Sequence, residues 1–277
     1  MHPTKQRIYM AVRKSSLFPI LMINFIGSLG FSIVLPFLVF LVTKFEGNAL
    51  VYGVLGAVYP AFQLIGAPIL GKMSDSYGRK KILLLSEVGT LIGWIIFITA
   101  FFVPLEVILK SDSNFLGPFI ITLPILIIFA ARAIDGLTGG NISIANAYVA
   151  DITSEKDRNK NFGKLSVSSN LGFIAGPAIA GLLGSTEYKE LLPVIAASVI
   201  SLTACLITYF FLPESKVQLY KESSDNSALR KVIGYESKEC FDFNGKNRSV
   251  QKITLKEILK LNHISYFLFL NFLIFLG

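Results

Sequence analysis

The chain has 277 residues, of which 53% are hydrophobic and only 16% are charged. A soluble domain carries about 25% charged residues, so the composition excludes an ordinary soluble domain. The formal net charge of +8 at pH 7 is compatible with nucleic-acid binding only if the basic residues lie on a soluble surface.

The apolar residues form runs that cover about 17–43, 50–70, 82–103, 119–150, 165–184 and 191–212, and a seventh run begins near residue 264. A helix needs about 20 residues to cross a bilayer, so each complete run is long enough. The pattern predicts an all-α, polytopic membrane protein in which residues 17–212 form a six-helix bundle. Segment 104–118 holds two prolines and three charged residues and is interpreted as a loop.

The basic residues lie on one side of this predicted bundle. Segments 1–16, 71–81, 151–164 and 213–262 hold 22 of the 26 lysines and arginines, whereas the opposite loops hold three. Lysine and arginine are enriched on the cytoplasmic side of membrane proteins. We therefore expect an inner (plasma) membrane protein with a cytoplasmic N-terminus, 1–16, and a cytoplasmic central linker, 213–262. The positive charge then belongs at the lipid surface, and no nucleic-acid partner is expected.

Between the second and third runs lies the stretch GKMSDSYGRKK, residues 71–81, which we interpret as a tight turn at a membrane face. One interpretation is a basic turn that anchors two helices. A second rests on the order of its residues, which resembles the G-x-x-x-D-x-x-G-R-K signature between helices 2 and 3 of the major facilitator superfamily. The matching positions are Gly71, Asp75, Gly78, Arg79 and Lys80. That resemblance implies a cytoplasmic gate in which Arg79 pairs with Asp151; the alternative for Asp151 is a helix end in a solvated loop.

Arg132 and Asp135 stand near the middle of the fourth run, where a charged group costs at least about 2.5 kcal/mol. Their i, i+3 spacing puts both on one helix face. They are either a self-neutralising pair that fixes helix packing or part of a proton relay or substrate site. The surrounding RAIDGLTGG resembles the fourth-helix arginine signature of proton-coupled efflux members of the superfamily. Glu87 is a further coupling candidate, although we favour an interpretation in which it snorkels or pairs with the basic turn.

Two other sets of residues within the runs are candidates for function. The fifth run carries Gly172, Gly176, Pro177 and Gly181, which either permit close helix packing and a bend or, by resemblance to the fifth-helix antiporter signature, indicate export. Uncharged amides within the spans either line a substrate cavity or bridge helices. These amides are Asn24, Gln63, Asn141, Asn146 and Asn170.

The seven residues 24–30, NFIGSLG, are partly repeated at 271–277, NFLIFLG. Major facilitator proteins have two six-helix halves, so their seventh helix repeats the first. The repeat predicts that 263–277 begins a seventh helix, that the C-terminal half of the same transporter is missing, and that the 277 residues alone do not transport.

The resemblance covers about residues 15–215 and is nearest the tetracycline-efflux kind of drug:proton antiporter. It implies a secondary active transporter that exports a small organic molecule, with the proton gradient as its energy source. The alternatives are a nutrient symporter or facilitator of the same superfamily, and a non-transporting sensor or decayed half-transporter. The sequence has no nucleotide loop, metal-ligand cluster or nucleophile constellation, so we expect neither an enzyme nor a metal or cofactor site.

Overall fold

A computed structural model describes residues 17–113, 117–215, 240–241 and 247–248. The chain divides into two compact units, Met1–Glu222 and Ser223–Gly277. In the second unit the described residues form two short antiparallel strands, β3 (Cys240–Phe241) and β4 (Asn247–Arg248). The predicted N-terminal segment, most of the central linker and the start of the seventh helix lie outside the described residues.

The first unit contains the helices that the apolar runs predict. They are α1 (Phe18–Val34), α2 (Leu38–Lys44), α3 (Ala49–Tyr77), α4 (Arg79–Thr99), α5 (Leu123–Thr138), α6 (Asn141–Ile152), α7 (Arg158–Gly184) and α8 (Leu191–Phe211). Short 3-10 turns at Leu35–Phe37 and Glu155–Asp157 precede α2 and α7.

Six segments of the described chain are long and apolar enough to cross a membrane by length and composition. We call them spans 1 to 6: Phe18–Lys44, Ala49–Tyr77, Arg79–Thr99, Leu123–Ile152, Glu155–Gly184 and Leu191–Phe211. Span 1 packs against spans 5 and 6, span 4 packs against spans 2 and 3, and spans 3 and 6 pack against each other.

The sequence suggested that the whole stretch 71–81 is a turn, but most of this stretch is helical. Helix α3 continues to Tyr77, and α4 begins at Arg79, so only Gly78 separates them. Gly78 has φ 101°, a conformation that side chains with a Cβ rarely adopt. The chain therefore reverses at one residue, and Gly71 and Asp75 lie on the last two turns of a helix.

Segment 104–118 is not a loop either, because it forms most of a β-hairpin. Strand β1 (Val107–Ser113) pairs antiparallel with β2 (Gly117–Thr122). Most of β2 consists of residues with high strand propensity: Phe119, Ile120, Ile121 and Thr122. Because this segment is also largely hydrophobic, the sequence interpretation assigned it to the fourth apolar run. Helix α5 consequently begins at Leu123, with a proline in its first turn.

Span 4 is broken between α5 and α6 at Gly139 and Gly140, a feature that the sequence interpretation missed. A break inside a membrane requires new partners for the freed backbone groups. The Ser86 hydroxyl donates to the Thr138 carbonyl, and the Gln63 amide donates to the Gly139 carbonyl at 2.9 Å. The break is thus held by side chains of spans 2 and 3.

Spans 1 and 5 approach closely because glycines of span 5 face span 1. A Cβ at Gly176 would lie 1.9 Å from Ser32 Oγ, and one at Gly172 would lie 2.6 Å from the Phe25 carbonyl oxygen. Ser32 Oγ in turn donates to the Gly172 carbonyl at 3.1 Å. Gly181, by contrast, faces open space.

Substituting Gly176 with valine is therefore expected to push spans 1 and 5 apart. Overpacking of this kind costs about 1–3 kcal/mol of stability. The measurement is thermal unfolding of the purified protein in detergent, with Gly181→Val as the matched control in the same helix. Equal unfolding temperatures for the two variants would contradict the assigned contact.

Candidate functional site

A cavity of about 290 Å³ opens between spans 1, 2, 4 and 5, and span 3 contributes Glu87 to its lining. We call it the central cavity; its polar and aromatic lining comprises Asn24, Ser28, Phe31, Tyr59, Gln63, Glu87, Arg132, Asn141 and Phe173. Three of the five amides considered above therefore line it. Asn146 is half-buried and Asn170 is exposed, and both lie outside that lining.

Two of the cavity amides also join helices. Asn24 Nδ2 donates to the Leu165 carbonyl at 3.0 Å and to the Ser169 hydroxyl, which ties span 1 to span 5. Gln63 Nε2 donates to the Tyr59 hydroxyl at 3.0 Å and to the Gly139 carbonyl. Both side chains also line the central cavity, so bridging and lining are compatible roles for the same side chains.

Arg132 lies at the inner wall of the central cavity and is only 4% exposed. Its Nη1 is 3.4 Å from Asp135 Oδ2. Its guanidinium carbon lies 4.8 Å from the ring centre of Tyr59, 5.3 Å from that of Phe31 and 5.9 Å from that of Trp94. One carboxylate and three aromatic faces therefore balance the positive charge.

Among the described residues, Nε of Arg132 has no hydrogen-bond partner although it is buried. An unpaired buried donor is costly, so such a group is suited to bind a ligand atom or a water. The arginine thus fixes the position of span 4 and still offers one donor.

Glu87 is not at the membrane surface, contrary to the snorkelling interpretation. Its side chain is buried, with 3% exposure, and it lines both the central cavity and a smaller compartment of about 30 Å³. The sequence placed it six residues beyond the basic turn. Six residues of α-helix rise about 9 Å, which is enough to carry the carboxylate below the surface.

The smaller compartment lies between spans 1, 3, 4 and 6 and is lined by oxygen-bearing side chains: Glu87, Thr90, Asp135, Asn141 and Ser201. Thr90 and the Asp135 carboxylate line it together. Glu87 Oε1 and Ser201 Oγ are both buried without a hydrogen-bond partner in the described chain. Two acids and two unpaired oxygens therefore share one enclosed space, which is large enough for a water molecule.

A second constellation lies where the chain passes from span 2 to span 3. Arg79 is 5% exposed, and its side chain donates three hydrogen bonds. Its Nε donates to Asp151 Oδ2 at 2.9 Å, its Nη1 to Ser74 Oγ at 2.6 Å and its Nη2 to Asp75 Oδ1 at 2.6 Å. The guanidinium thus joins the ends of spans 2 and 4 at the start of span 3. We call these four residues the Arg79 cluster.

The sequence interpretation missed Glu214, which it assigned to the central linker. Glu214 Oε1 accepts hydrogen bonds from the backbone N–H groups of Arg79 at 2.7 Å and Lys80 at 3.3 Å. A carboxylate at the first N–H groups of a helix stabilises that helix end. The neighbouring Ser215 Oγ lies 3.2 Å from Asp151 Oδ2. The segment that follows span 6 is therefore joined to the Arg79 cluster; the only sequence signal was an acid two residues after the end of the sixth apolar run.

Comparison with known sequences decides the family. Residues 20–277 match the sequence profile of the Major Facilitator Superfamily. The chain belongs to this superfamily. The resemblance found in the signature residues is thereby confirmed, and so is the all-α polytopic fold, with the β-hairpin as an addition.

Individual relatives point the same way. The chain is 33% identical to the class C tetracycline resistance protein of Escherichia coli over 194 residues, which are 69% of the chain and 43% of that protein. It is 33% identical to the class E tetracycline resistance protein of Escherichia coli over 198 residues, which are 70% of the chain and 43% of that protein. The chain thus spans less than half of the length of these superfamily relatives.

A solved structure shows the same fold. The crystal structure of the human organic anion transporter MFSD10 (TETRAN) matches with a TM-score of 0.55 and 20% identity, covering 73% of this chain and 48% of that protein. Together with the six apolar helices, this identifies an integral membrane protein built on the fold of a transporter family.

Proposed function

We propose that the chain forms the N-terminal bundle of a secondary active transporter that exports a small organic molecule in exchange for protons. The observation that carries this proposal is the burial of Arg132 and Glu87 beside the central cavity and of Asp135 in the adjoining compartment. Charged groups inside a membrane are rare and mark substrate or proton pathways. A packing role alone accounts for the Arg132–Asp135 pair. It does not explain why Glu87 is buried with an oxygen that has no hydrogen-bond partner among the described residues.

Asp135 is the proposed proton-coupling group. When it is ionised, it holds Arg132; when it is protonated, that attraction is lost, and span 4 is free to change its contacts with spans 2 and 3. The two protonation states thereby favour different packings, which is the condition for a proton to bias a conformational equilibrium. Glu87, in the adjoining compartment, is the second candidate, and a water between it and Ser201 would satisfy both unpaired oxygens.

The substrate proposal follows from the lining of the central cavity. Phe31, Tyr59 and Phe173 supply aromatic faces, while Arg132 and Asn141 supply polar groups, a combination typical of small-molecule sites. Relatives of this chain are named for tetracycline resistance and for organic anion transport. A flat organic molecule with several polar oxygens fits both the lining and those names.

The Arg79 cluster is the proposed cytoplasmic gate. It ties together the ends of spans 2 and 4 and the start of span 3, and Glu214 adds the end of span 6. Rocking of one bundle against another in alternating access would require these ends to separate from a partner surface. The cluster holds them as one rigid unit on the inner face.

The partner surface belongs to a second bundle in this proposal, with 213–262 as the cytoplasmic linker and 263–277 as the start of the seventh helix. Its support is that the curated relatives are more than twice as long as the matched segment. A bundle alone would turn the central cavity with its charges toward lipid, where unpaired polar groups cost several kcal/mol.

The decisive experiment reconstitutes a form of the chain extended through its downstream reading frame in liposomes with an imposed pH gradient. We expect tetracycline or an organic anion to move only when protons flow in the opposite direction. Movement without coupling would favour the facilitator alternative, and movement with protons in the same direction would favour a symporter. No movement in a chain extended through its downstream reading frame would favour the sensor or decayed half-transporter.

A related prediction concerns the chain itself. The 277 residues are expected not to transport under these conditions, whereas a form extended through the downstream frame is expected to do so. Transport by the short form would instead indicate two copies that pair about a two-fold axis.

The proposed orientation gives a labelling prediction. In a background without Cys205 and Cys240, single cysteines are introduced at Ser113 and Asp225. A membrane-impermeant thiol reagent added to intact cells is expected to label position 113, in the hairpin, and not position 225, in the linker. Equal labelling of both positions would contradict a cytoplasmic linker.

A further inference from the structure

A second concave surface lies outside the bundle, between spans 1 and 5. It has a volume of about 640 Å³ and a floor that is almost entirely apolar. Span 1 contributes Phe18, Met22 and Phe25, and span 5 contributes Val167 and Leu171. Several of these side chains are half or more exposed, with 63% for Phe18 and 57% for Val167. We call this surface the span 1–5 groove.

The span 1–5 groove does not face the central cavity. Lys160, Lys164, Val167 and Leu171 follow one another at helical spacing and occupy a single face of span 5. Phe173, which lines the central cavity, is two residues beyond Leu171 and so points to a different side of the same helix. No other described residue is among those that line the groove, and a partner bundle at the cavity face would not cover it, which leaves the bilayer as its neighbour in this proposal.

One end of the groove carries a concentrated positive charge. Lys160 and Lys164 are one helical turn apart, both are exposed, and they lie on the first two turns of α7. None of the residues that line the groove is acidic. Between the two lysines, Gly163 has no side chain, and a Cβ built there meets nothing within 4 Å. The apolar groove thus ends in two ammonium groups that have no ion-pair partner among the described residues, beside an exposed stretch of backbone at Gly163.

We propose that the span 1–5 groove binds one anionic phospholipid. An acyl chain lies against Phe18, Met22, Phe25 and Leu171, and the phosphate is held by Lys160 and Lys164. The apolar length of the groove excludes a free phosphate ion as its natural occupant, and the lysine pair distinguishes an anionic headgroup from a zwitterionic one. Basic pockets between membrane helices are known to select lipid headgroups by this chemistry.

The test is native mass spectrometry of the full 277-residue chain in detergent, with added phosphatidylglycerol or phosphatidylcholine of identical acyl chains. We expect one phosphatidylglycerol to be retained in preference to phosphatidylcholine. In Lys160→Gln/Lys164→Gln, affinity for phosphatidylglycerol is expected to fall on the order of tenfold, while phosphatidylcholine binding is unchanged. Lys160→Arg/Lys164→Arg should restore the preference.

Two further variants separate the groove from general surface charge. Gly163→Leu narrows the groove without changing its charge and should weaken both lipids. Lys72→Gln/Lys81→Gln removes the same number of charges elsewhere and should leave the preference intact. The proposal is overturned if the Lys160/Lys164 variant retains phosphatidylglycerol like the unmodified chain, or if the control pair loses it equally. Displacement by inorganic phosphate at matched concentration would likewise overturn it, because it would show a headgroup site without a role for the acyl chain.

Discussion

Replacing Asp135 with asparagine is expected to abolish proton-driven accumulation of substrate in the proposed transporter, tested as a form of the chain extended through its downstream reading frame. The substitution keeps the size of the side chain and one oxygen that can accept a hydrogen bond. It removes the only ionised partner that the described structure gives to the Arg132 guanidinium. Because the amide cannot take up and release a proton, the equilibrium between the two packings no longer responds to the pH gradient. Substrate binding and exchange, which need no net proton movement, are expected to survive.

The measurement is accumulation in liposomes with and without the gradient, together with counterflow as a readout of exchange. Asp112→Asn is the matched control, because that acid is exposed on the β-hairpin. If accumulation by Asp135→Asn still depends fully on the pH gradient, the coupling site is not Asp135. The next variant would then be Glu87→Gln.

Glu87→Gln also distinguishes a structural role from a coupling role. A buried carboxylate oxygen without a partner contributes no stability, so the amide should unfold at the same temperature or higher. If Glu87 carries the proton, the same variant loses gradient dependence in spite of its stability. Ser201→Ala, across the compartment, is expected to leave the gradient dependence in place and to alter its pH profile.

The sequence predicted the six spans because long apolar runs have few other structures available to them. It also predicted that Arg132 and Asp135 are buried, since both stand far from either end of their run. The pairing of Arg79 with Asp151 came from the family resemblance alone, because 72 residues separate the two side chains and no local pattern links them.

The features that the sequence did not predict depend on how deep a residue lies in the helix bundle and on contacts between distant parts of the chain. Glu87 is two turns inside span 3, and its burial follows from the packing of spans 4 and 6 against that face. The break at Gly139 and Gly140 was hidden in a run of about thirty residues, although a glycine pair in a run longer than a bilayer needs was a usable signal. Glu214 acts through backbone groups 135 residues away, which no spacing rule reaches.

Replacing Arg79 with lysine is expected to impair transport on the order of tenfold or more while insertion and yield stay normal. The variant keeps the positive charge that orients the chain in the membrane, so a simple anchoring role predicts no effect. Lysine has a single ammonium group in place of the planar fork that reaches Ser74, Asp75 and Asp151 together. At least one buried charge-assisted hydrogen bond is lost, and each is worth about 1.5–3 kcal/mol. The ends of spans 2 and 4 would then no longer move as one unit.

Lys72→Gln provides the opposite control, because it removes a charge from the same stretch without a bond to the Arg79 cluster in the described structure. The two interpretations of residues 71–81 therefore predict reversed results. If the stretch forms a gate, transport is lost in Arg79→Lys and in Asp75→Asn and changes little in Lys72→Gln. An anchor predicts normal transport in Arg79→Lys and reduced insertion in Lys72→Gln. Initial transport rates, normalised to the amount of inserted protein, decide between the gate and the anchor. A wild-type rate in both Arg79→Lys and Asp75→Asn would leave residues 71–81 with only an anchoring role.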